Sequence, residues 1–515
     1  MRVYLHAGTA FLLFATCALC TERLDSQQIL TFNNISHFQG AVRVAIIGAG
    51  IAGASAAYAL SEQSRELVDF DVTIFEASSQ VGGRLKHTNQ FGNPRRPVEV
   101  GPTTYSANDW CIAKAVKEAG LEERTMWYEN SWGTWNGKEI IYQQKESQDK
   151  LSWWDLIELI WRYGWSPRTF LKSVAAACKG FGSFAMSVSV TDGILTEFSN
   201  RHFDPNYLAS ADEYLNGIGI SQSFKSEVIE PRTRLTMGRD LSDLTGLDMA
   251  LSMTDAKRKM VYESNHQLIH RLLRLSGVKL RLNSRIQSIT PGRSKRYRLL
   301  ADTSQNKVSD LDYNEFDVVI VAVPLQASDI TFDNVASVTT RPLRPYVERH
   351  VTHFASTDRL SRRYFQVNAS LPDSVLTTKG FRNFFAIEWL GRTCYFFGFN
   401  ASDALDYDQC EEDNLYRILS ADTIPDSAIL SVLGKNTSSE SHLNDLGIHW
   451  VHREVWKHAT PIYQDQSSLL NDVQIGPFLF YTGGAEALYT SHEMSCRMGK
   501  SVGTEVFLRH MKWYD

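Results

Sequence analysis

The sequence predicts an α/β fold in which a Rossmann-type domain is discontinuous along the chain and carries an inserted domain of mixed helices and antiparallel sheet. An apolar run at residues 44–47 is followed by the turn GAGIAG and by small residues typical of a closely packed helix. The run FDVVIVAVP at residues 316–324, which is apolar except for Asp317, is typical of a buried parallel strand that a proline ends. A third apolar run, at residues 477–481, leads into a second glycine turn. Three separated stretches therefore contribute to one predicted sheet.

The first glycine turn has the spacing of a dinucleotide-binding site. Gly48 permits the tight turn, Gly50 lets a pyrophosphate approach the backbone, and Gly53 lets the helix pack on the strand. The free N–H groups at the start of the helix favour a phosphate. The next predicted strand, at residues 72–75, ends at Glu76, which is placed to accept a hydrogen bond from a ribose hydroxyl. Strand, turn, helix and acid together predict a dinucleotide site.

Two further motifs are expected to approach the same ligand. A pair of glycines ends at Gly83 and is followed by Arg84, whose guanidinium is available for phosphate. An ordinary surface turn is the alternative, and the position directly after a nucleotide-binding strand favours the first interpretation. Near the C-terminus, Gly484 and Glu486 belong to the second glycine turn, which precedes a helix predicted at residues 494–508.

The chain is predicted to divide into six segments. They are a signal peptide at 1–20, a first nucleotide-binding segment at 42–106, a mainly helical substrate region at 107–262, a second nucleotide-binding segment at 263–330, a substrate-domain sheet at 331–450, and a third nucleotide-binding segment with a C-terminal helix at 451–515. The region 331–450 is assigned to antiparallel sheet because apolar and polar positions alternate there.

The tryptophan-rich region contains an apolar stripe at helical spacing, made of Trp153, Leu156, Ile157, Ile160 and Trp161. A buried core helix is the favoured explanation, because large apolar residues are most often inside. The alternatives are a lining for a long apolar ligand and a face in peripheral contact with a membrane.

The N-terminus predicts a secretory route. Arg2 precedes an apolar stretch at residues 7–19, and Ala18-Leu19-Cys20 forms a candidate cleavage site. The stretch is too short for a comfortable membrane span, so no transmembrane segment is expected in the mature chain. The sequence also has four glycosylation sequons, at Asn34, Asn368, Asn400 and Asn436.

Composition excludes several other classes. A formal net charge of -5 gives no electrostatic reason to expect nucleic acid. Removal of the signal peptide leaves five cysteines, an odd number, so at least one is unpaired or bonds another chain. His266 and His270 have one zinc-binding spacing, but they lack the adjacent glutamate and a third ligand, so no metal is expected.

The complete set of motifs resembles the flavin oxidoreductases of the amine-oxidase-like superfamily and, within it, the prenylcysteine oxidase (farnesylcysteine lyase) family. Three stretches carry the closer resemblance, at residues 48–101, 229–234 and 481–498. The resemblance implies FAD, with its pyrophosphate over residues 48–53 and its adenosine ribose on Glu76. It also implies that Arg84 lies near the phosphates or the flavin.

The resemblance further implies a reaction. A hydride would pass from the carbon beside sulfur to flavin N5, and water and molecular oxygen would then give a prenyl aldehyde, free cysteine and hydrogen peroxide. Because the cofactor carries this chemistry, no catalytic triad is expected. Arg232 and Arg234 are candidates for binding the substrate carboxylate, although structural ion pairs are the favoured alternative for both. Members of the family are lysosomal or secretory, so the lysosome, the vacuole or secretion is the expected destination.

Two departures from the family pattern leave the substrate open. Pro102 stands where the family usually has a glycine, and Glu263-Ser264 stands where it tends to have two. Both segments are expected to approach the flavin or its pocket. One alternative is therefore a diverged FAD oxidase of another small apolar substrate, such as an amine or a secondary metabolite. Another is a non-enzymatic prenyl-binding protein similar to Rab escort factors, against which the signal peptide and the intact Glu76 argue.

Overall fold

A computed structural model describes most of the chain after residue 40. The described ranges are 41–64, 69–106, 109–125, 131–144, 153–186, 204–254, 258–292, 296–302, 315–333, 335, 344–381, 383–395, 411–435, 442–465, 473–486 and 488–512. The predicted signal peptide and the sequons at Asn34, Asn400 and Asn436 lie outside these ranges, whereas Asn368 lies within them and is exposed. Within these ranges, no helix has the length and apolar character needed to cross a membrane.

The described strands, in chain order, are β1 Val42–Ile47, β2 Phe70–Phe75, β3 His87–Asn89, β4 Pro97–Glu99, β5 Tyr105–Ser106, β6 Glu123–Thr125, β7 Trp132–Trp135, β8 Ile140–Gln144, β9 Arg258–Val261, β10 Lys279–Arg281, β11 Arg285–Pro291, β12 Tyr297–Asp302, β13 Glu315–Phe316, β14 Val318–Val321, β15 Thr331–Phe332, β16 Tyr346–Ser356, β17 Ser374–Thr377, β18 Ala386–Tyr395, β19 Glu411–Ser420, β20 Ile448–Pro461, β21 Gln474–Gly476 and β22 Leu479–Tyr481. The described α-helices are α1 Ile51–Ser64, α2 Trp110–Glu118, α3 Trp153–Tyr163, α4 Ser166–Met186, α5 Ala211–Gly217, α6 Gln222–Phe224, α7 Glu230–Met237, α8 Gly246–Ser252, α9 His266–Ser276, α10 Asp426–Val432 and α11 His492–Lys512.

A six-stranded sheet in the order β10-β2-β1-β14-β22-β21 forms the first layer, and its strands are parallel except β21. β1 lies inside this sheet, and Val44, Ala45 and Ile46 have no exposed surface. The strands come from the start, the middle and the end of the chain, as the sequence predicts. The α/β fold class with a discontinuous Rossmann-type domain is therefore confirmed.

A seven-stranded sheet in the order β20-β16-β19-β18-β17-β7-β8 forms the inserted domain, and its strands are antiparallel except the β17–β7 pair. It differs from the predicted division at two places. β7 and β8 lie inside the region predicted as mainly helical. Sequence reasoning missed β7 because the buried run Trp132–Trp135 shows no alternation of apolar and polar residues. β20 crosses the boundary predicted at residue 450 and continues to Pro461.

The described residues also form three smaller sheets. β13-β12-β11-β15 form a four-stranded sheet, β3 pairs with β4, and β5-β9-β6 form a three-stranded sheet. β3 and β4 follow the Gly83 turn directly, so they join the nucleotide-binding motif to the rest of the chain.

The apolar stripe of α3 does not face the core where its side chains are described. Ile157, Ile160 and Trp161 are exposed, and Trp161 keeps 88% of its surface accessible. The side chains of Trp153 and Leu156 lie outside the described residues. The expectation of a buried core helix is therefore wrong for these three residues. Periodicity identifies an amphipathic helix, but it does not say what covers the apolar face.

The C-terminal helix α11 is fixed to the helix α2. A disulfide joins Cys111 to Cys496. The carboxylate of Glu493 accepts hydrogen bonds from the backbone N–H groups of Cys111 and Ile112, each at 2.9 Å. These N–H groups have no partner within their own helix, so a residue of α11 caps α2.

Glu99, the last residue of β4, generates a prediction about pH. One carboxylate oxygen accepts from the N–H of Asn265 at 2.6 Å, and the other has no hydrogen-bond partner among the described residues. Burial raises the pKa of Glu99 from 4.5 to about 7. The folded state therefore holds this proton more tightly than the unfolded chain, and its contribution to stability is lost as the pH rises from 4.5 to about 7.

We expect Glu99→Gln to remove part of the loss in free energy of unfolding between about pH 5 and about pH 8, on the order of 1–3 kcal/mol. Urea denaturation at both pH values measures it. The exposed Glu122 offers a matched control as Glu122→Gln. An E99Q profile identical to that of E122Q would contradict the assignment.

Glu263 generates a prediction about backbone strain. Its φ of 66° lies in the left-handed region, which costs a non-glycine residue about 1–2 kcal/mol. Glu263→Gly should therefore raise the free energy of unfolding by roughly 0.5–1 kcal/mol, after the greater entropy of unfolded glycine is counted. Glu263→Ala should lower it, because the strain remains and the hydrogen bond from Gln267 is lost. Thermal unfolding of both variants distinguishes these signs.

Candidate functional site

The turn after β1 forms a cradle of glycines. Gly48 has a φ of 103°, and a Cβ at Gly53 would lie 2.0 Å from the carbonyl oxygen of Gly48, so neither position accepts a side chain. A Cβ at Gly50 would meet nothing closer than 3.9 Å, where its neighbours are Gly82 and Gly83. Gly50 therefore leaves open space above the backbone, whereas Gly53 lets α1 pack against the turn.

Glu76 lies directly after β2, beside the glycine turn. One oxygen of its carboxylate accepts from the N–H of Ala49 at 2.9 Å, and the other accepts from the N–H of Ser78 at 2.9 Å. Glu76, Gly48, Gly50 and Gly83 all line one cavity. The structure thus places the ribose candidate next to the pyrophosphate candidates.

An ion pair joins the turn at Gly83 to the C-terminal glycine turn. The guanidinium of Arg84 pairs with the carboxylate of Glu486 and also donates to the carbonyl of Ala459 at 3.1 Å. The hydroxyl of Tyr346 donates to the other oxygen of Glu486 at 2.8 Å. Burial disfavours the charge on Arg84, but the adjacent Glu486 outweighs it, and the pKa of Arg84 is raised. Two residues that are 402 positions apart in the sequence therefore share one charged centre.

The cavity has a volume of about 2300 Å³, well above the roughly 300–1000 Å³ usual for a small-molecule site. One end is formed by the glycine turns and by Arg84 and Glu486. The other is apolar and is lined mainly by α3, α4, α7 and the residues before α7, namely Leu159, Tyr163, Phe170, Leu171, Phe224, Val228, Ile229 and Leu235. The space is large enough for a dinucleotide and a second, apolar ligand.

Two of the predicted cofactor residues do not line this cavity. Gly53 packs beneath the turn, and Gly484 is buried in a 3-10 helix, Thr482–Ala485. Glu486, two residues after Gly484, does line the cavity. The structure thus brings six of the predicted cofactor residues to the cavity wall, which are Gly48, Gly50, Glu76, Gly83, Arg84 and Glu486.

The two substrate candidates occupy different environments. Arg232 lines the cavity, and its guanidinium carbon lies 5.4 Å from the ring centroid of Trp132. Arg234 is buried away from the cavity, donates to the carbonyl of Thr377 at 3.1 Å, and lies 3.4 Å from the carboxylate of Asp240. Burial lowers the pKa of Arg234. This arrangement matches the favoured alternative of a structural ion pair for Arg234.

The structure adds cavity residues that carry no sequence motif. Arg349 of β16 lines the cavity, and burial lowers its pKa to about 10. Arg417 of β19 also lines it, and donates to the hydroxyl of Thr103 at 2.6 Å. His492, at the start of α11, is a third, and burial lowers its pKa. Neighbouring strands bring Arg349 and Arg417 to the cavity, so no local spacing could have identified them.

The two segments that depart from the family pattern lie in different places relative to the cavity. Pro102 lines the cavity, and its carbonyl accepts from the side chain of Asn265 at 3.3 Å. Glu263 and Ser264 are not among the described residues of the cavity wall, and the hydroxyl of Ser264 lies 3.2 Å from a ring nitrogen of His87. The expectation that both segments reach the pocket is therefore correct for Pro102 alone.

Comparison with known proteins assigns a family. The model of the prenylcysteine lyase family matches residues 146–515, and that of an NAD(P)-binding Rossmann-like domain matches residues 46–118. The chain belongs to the prenylcysteine lyase family. It is 28% identical to prenylcysteine oxidase 1 of Bos taurus over 57% of this chain and 58% of that protein. It is 25% identical to farnesylcysteine lyase of Arabidopsis thaliana over 58% and 61%. The matched region thus spans about three-fifths of these relatives.

Solved structures agree on the fold. Putrescine oxidase bound to putrescine has a TM-score of 0.58 at 15% identity, with 91% of this chain and 99% of that chain covered. Cyclohexylamine oxidase from Brevibacterium oxydans has a TM-score of 0.56 at 16% identity, with 92% and 100% covered. At such identities the likeness establishes the fold alone.

Membership of the prenylcysteine lyase family and the Rossmann-like match agree with the expectation of an oxidoreductase that uses FAD. The residues present fit this cofactor. The open space above Gly50 is where a pyrophosphate needs to approach backbone N–H groups, and the cavity continues from there past Glu76.

The glycine cradle generates a prediction that separates binding from folding. Gly50→Val should leave the protein folded but weaken FAD binding at least about ten-fold, since the side chain fills the space above the turn. Gly53→Ala should instead destabilise the chain by about 1–3 kcal/mol, because its Cβ meets backbone. Flavin content and thermal unfolding are measured on both variants. Normal flavin content in folded G50V would show that the cofactor lies elsewhere.

Proposed function

We propose that the protein is an oxygen-using FAD oxidase that cleaves a prenyl thioether, with farnesylcysteine as the representative substrate. The thioether, water and oxygen give a prenyl aldehyde, free cysteine and hydrogen peroxide, and this balance leaves no other product. One observation carries the proposal: a single cavity is lined both by the glycine cradle and by the apolar side chains of α3, α4 and the residues before α7. A prenyl tail beside a flavin requires such a cavity.

The apolar compartment supplies the binding energy for a prenyl tail. Phe170 of α4, Phe224 of α6 and Ile229, which directly precedes α7, all line the cavity. Each methylene buried against such a wall contributes about 0.8 kcal/mol. A polar substrate would gain nothing from this surface, whereas an isoprenoid would gain along its whole length.

The other cavity residues have proposed roles in holding the two ligands. Residues 48–53 would hold the pyrophosphate of FAD and Glu76 its adenosine ribose, while Arg84 and Glu486 fix the turns around it. Bound FAD would supply hydride acceptance from the carbon beside sulfur and return the electrons to oxygen. The chain itself needs chiefly to hold that carbon in position. Arg232 remains the candidate for binding the carboxylate of the cysteine, because it lines the cavity.

A secretory destination, with the lysosome or secretion as its end, belongs to the same proposal. The disulfide between Cys111 and Cys496 supports it, because such bonds persist in oxidising compartments. The exposed sequon residue Asn368 is accessible for glycosylation.

The test is an absorbance spectrum of the purified protein before and after anaerobic addition of S-farnesylcysteine. We expect flavin bands that bleach with the substrate and return with air, together with one peroxide for each aldehyde released. A saturated S-alkylcysteine of similar length is the matched control. It should bind without bleaching the flavin, because its carbon lacks the double bond that stabilises the developing positive charge.

Three results would contradict the proposal in different ways. Flavin bands that farnesylcysteine leaves unchanged would indicate an FAD oxidase that acts on another substrate. Equal bleaching by the saturated control would show that the enzyme does not select for an allylic carbon. A protein that binds no FAD would point to a prenyl-binding protein without redox activity.

A further inference from the structure

The outer face of α3 and α4 exposes large apolar side chains next to each other in the chain. Trp161 keeps 88% of its surface accessible, Trp165 keeps 65%, Ile160 keeps 47% and Ile157 keeps 40%. Gly164, with a φ of 61°, lies at the turn between the two helices. We call these four apolar residues the tryptophan patch. A group of exposed apolar residues of this size marks a surface that contacts something other than water.

Basic residues accompany the tryptophan patch. Arg168, Lys172 and Lys179 are exposed, and the sequence from residue 160 to residue 181 contains no acidic residue. Arg162 is also exposed, but its guanidinium pairs with the carboxylate of Glu227 at 2.8 Å. The guanidinium of Arg168 lies 5.8 Å from the ring centroid of Trp165, so a cation and an aromatic ring share one site. This local positive charge contrasts with the formal net charge of -5 of the whole chain. The surface therefore complements a negatively charged partner.

The inner faces of the same two helices line the cavity. Leu159 and Tyr163 of α3 and Pro167, Phe170 and Leu171 of α4 contribute to its apolar end. The helices thus separate the apolar compartment from the tryptophan patch by no more than their own width. A ligand with an apolar tail would meet apolar surface on both sides of this pair of helices.

We propose that the tryptophan patch and its basic residues dock the protein on the surface of an anionic phospholipid bilayer. The combination fits that surface: tryptophan concentrates at the headgroup level, and lysine and arginine are attracted to anionic lipids. A protein partner with an acidic apolar surface is a different occupant, and so is a second copy of this chain. The bilayer is favoured because the patch adjoins a cavity for an apolar ligand. The inference holds for any such ligand and is independent of the prenyl thioether reaction.

Flotation of the full-length FAD-loaded protein with vesicles tests the proposal. The vesicles are made of phosphatidylcholine with or without phosphatidylserine. We expect the wild type to float with the anionic vesicles and the double variant Trp161→Ser/Trp165→Ser to bind at least about ten-fold less. Trp110→Ser is the matched control, since Trp110 is also exposed, at 53%, but lies on α2 outside the patch. It should float as the wild type does.

A second double variant tests the charge independently of the tryptophans. Arg168→Gln/Lys172→Gln should reduce binding to anionic vesicles several-fold and leave the weaker binding to neutral vesicles unchanged, and added salt should have the same effect. Neither residue lines the cavity, so the flavin spectrum and the midpoint of thermal unfolding should be unaffected in all variants. These two readouts show that each variant is folded.

The proposal is overturned if the wild type does not float, or if W161S/W165S floats as the wild type does. It is also overturned if the double variant converts a wild-type dimer to a monomer without vesicles and flotation is unchanged, since the patch would then join two copies of the chain.

Discussion

The ion pair between Arg84 and Glu486 is the interaction on which the rest of the site depends. Arg84 follows the glycine pair that ends at Gly83, Glu486 follows the C-terminal glycine turn, and Tyr346 begins a strand of the inserted sheet. The pair therefore joins both ends of the nucleotide-binding domain to the inserted domain at one point. Loss of either partner would leave the other charge at least partly buried beside apolar surface, which costs far more than an exposed pair contributes.

The C-terminal helix α11 also stabilises the nucleotide-binding domain, through its packing against α1. A Cβ at Gly499 would lie 2.1 Å from the carbonyl of Ala52, and one at Gly503 would lie 2.7 Å from the carbonyl of Ala56. The helix α11 therefore packs against α1 backbone to backbone, directly behind the glycine cradle. The disulfide and the carboxylate of Glu493 then fix the start of α11 to α2. The cradle is thus held rigid by residues from the C-terminal end of the chain.

Local signals could be predicted from the sequence, and non-local ones could not. The glycine turn, its strand and its acid occupy one short stretch, so their spacing contains the geometry. Arg349 and Arg417 reach the cavity from separate antiparallel strands, and only the registry of the sheet brings them to one wall. β7 escaped detection because its residues are buried on both faces and lose the alternation that marks a half-buried strand. The helical period of α3 was predicted correctly, but the period does not determine what contacts the apolar face of the helix.

The tryptophan patch and the apolar cavity behind α3 and α4 have a related physical use, because both favour contact with an apolar ligand. A ligand that gains about 0.8 kcal/mol for each methylene removed from water gains that energy in a bilayer as well as in a protein pocket. Most of such a ligand therefore resides in membranes, and its concentration in water is low. An enzyme that meets it only in solution is limited by this low concentration. One whose cavity wall is also its membrane-facing surface, as α3 and α4 allow, would meet the ligand where it accumulates.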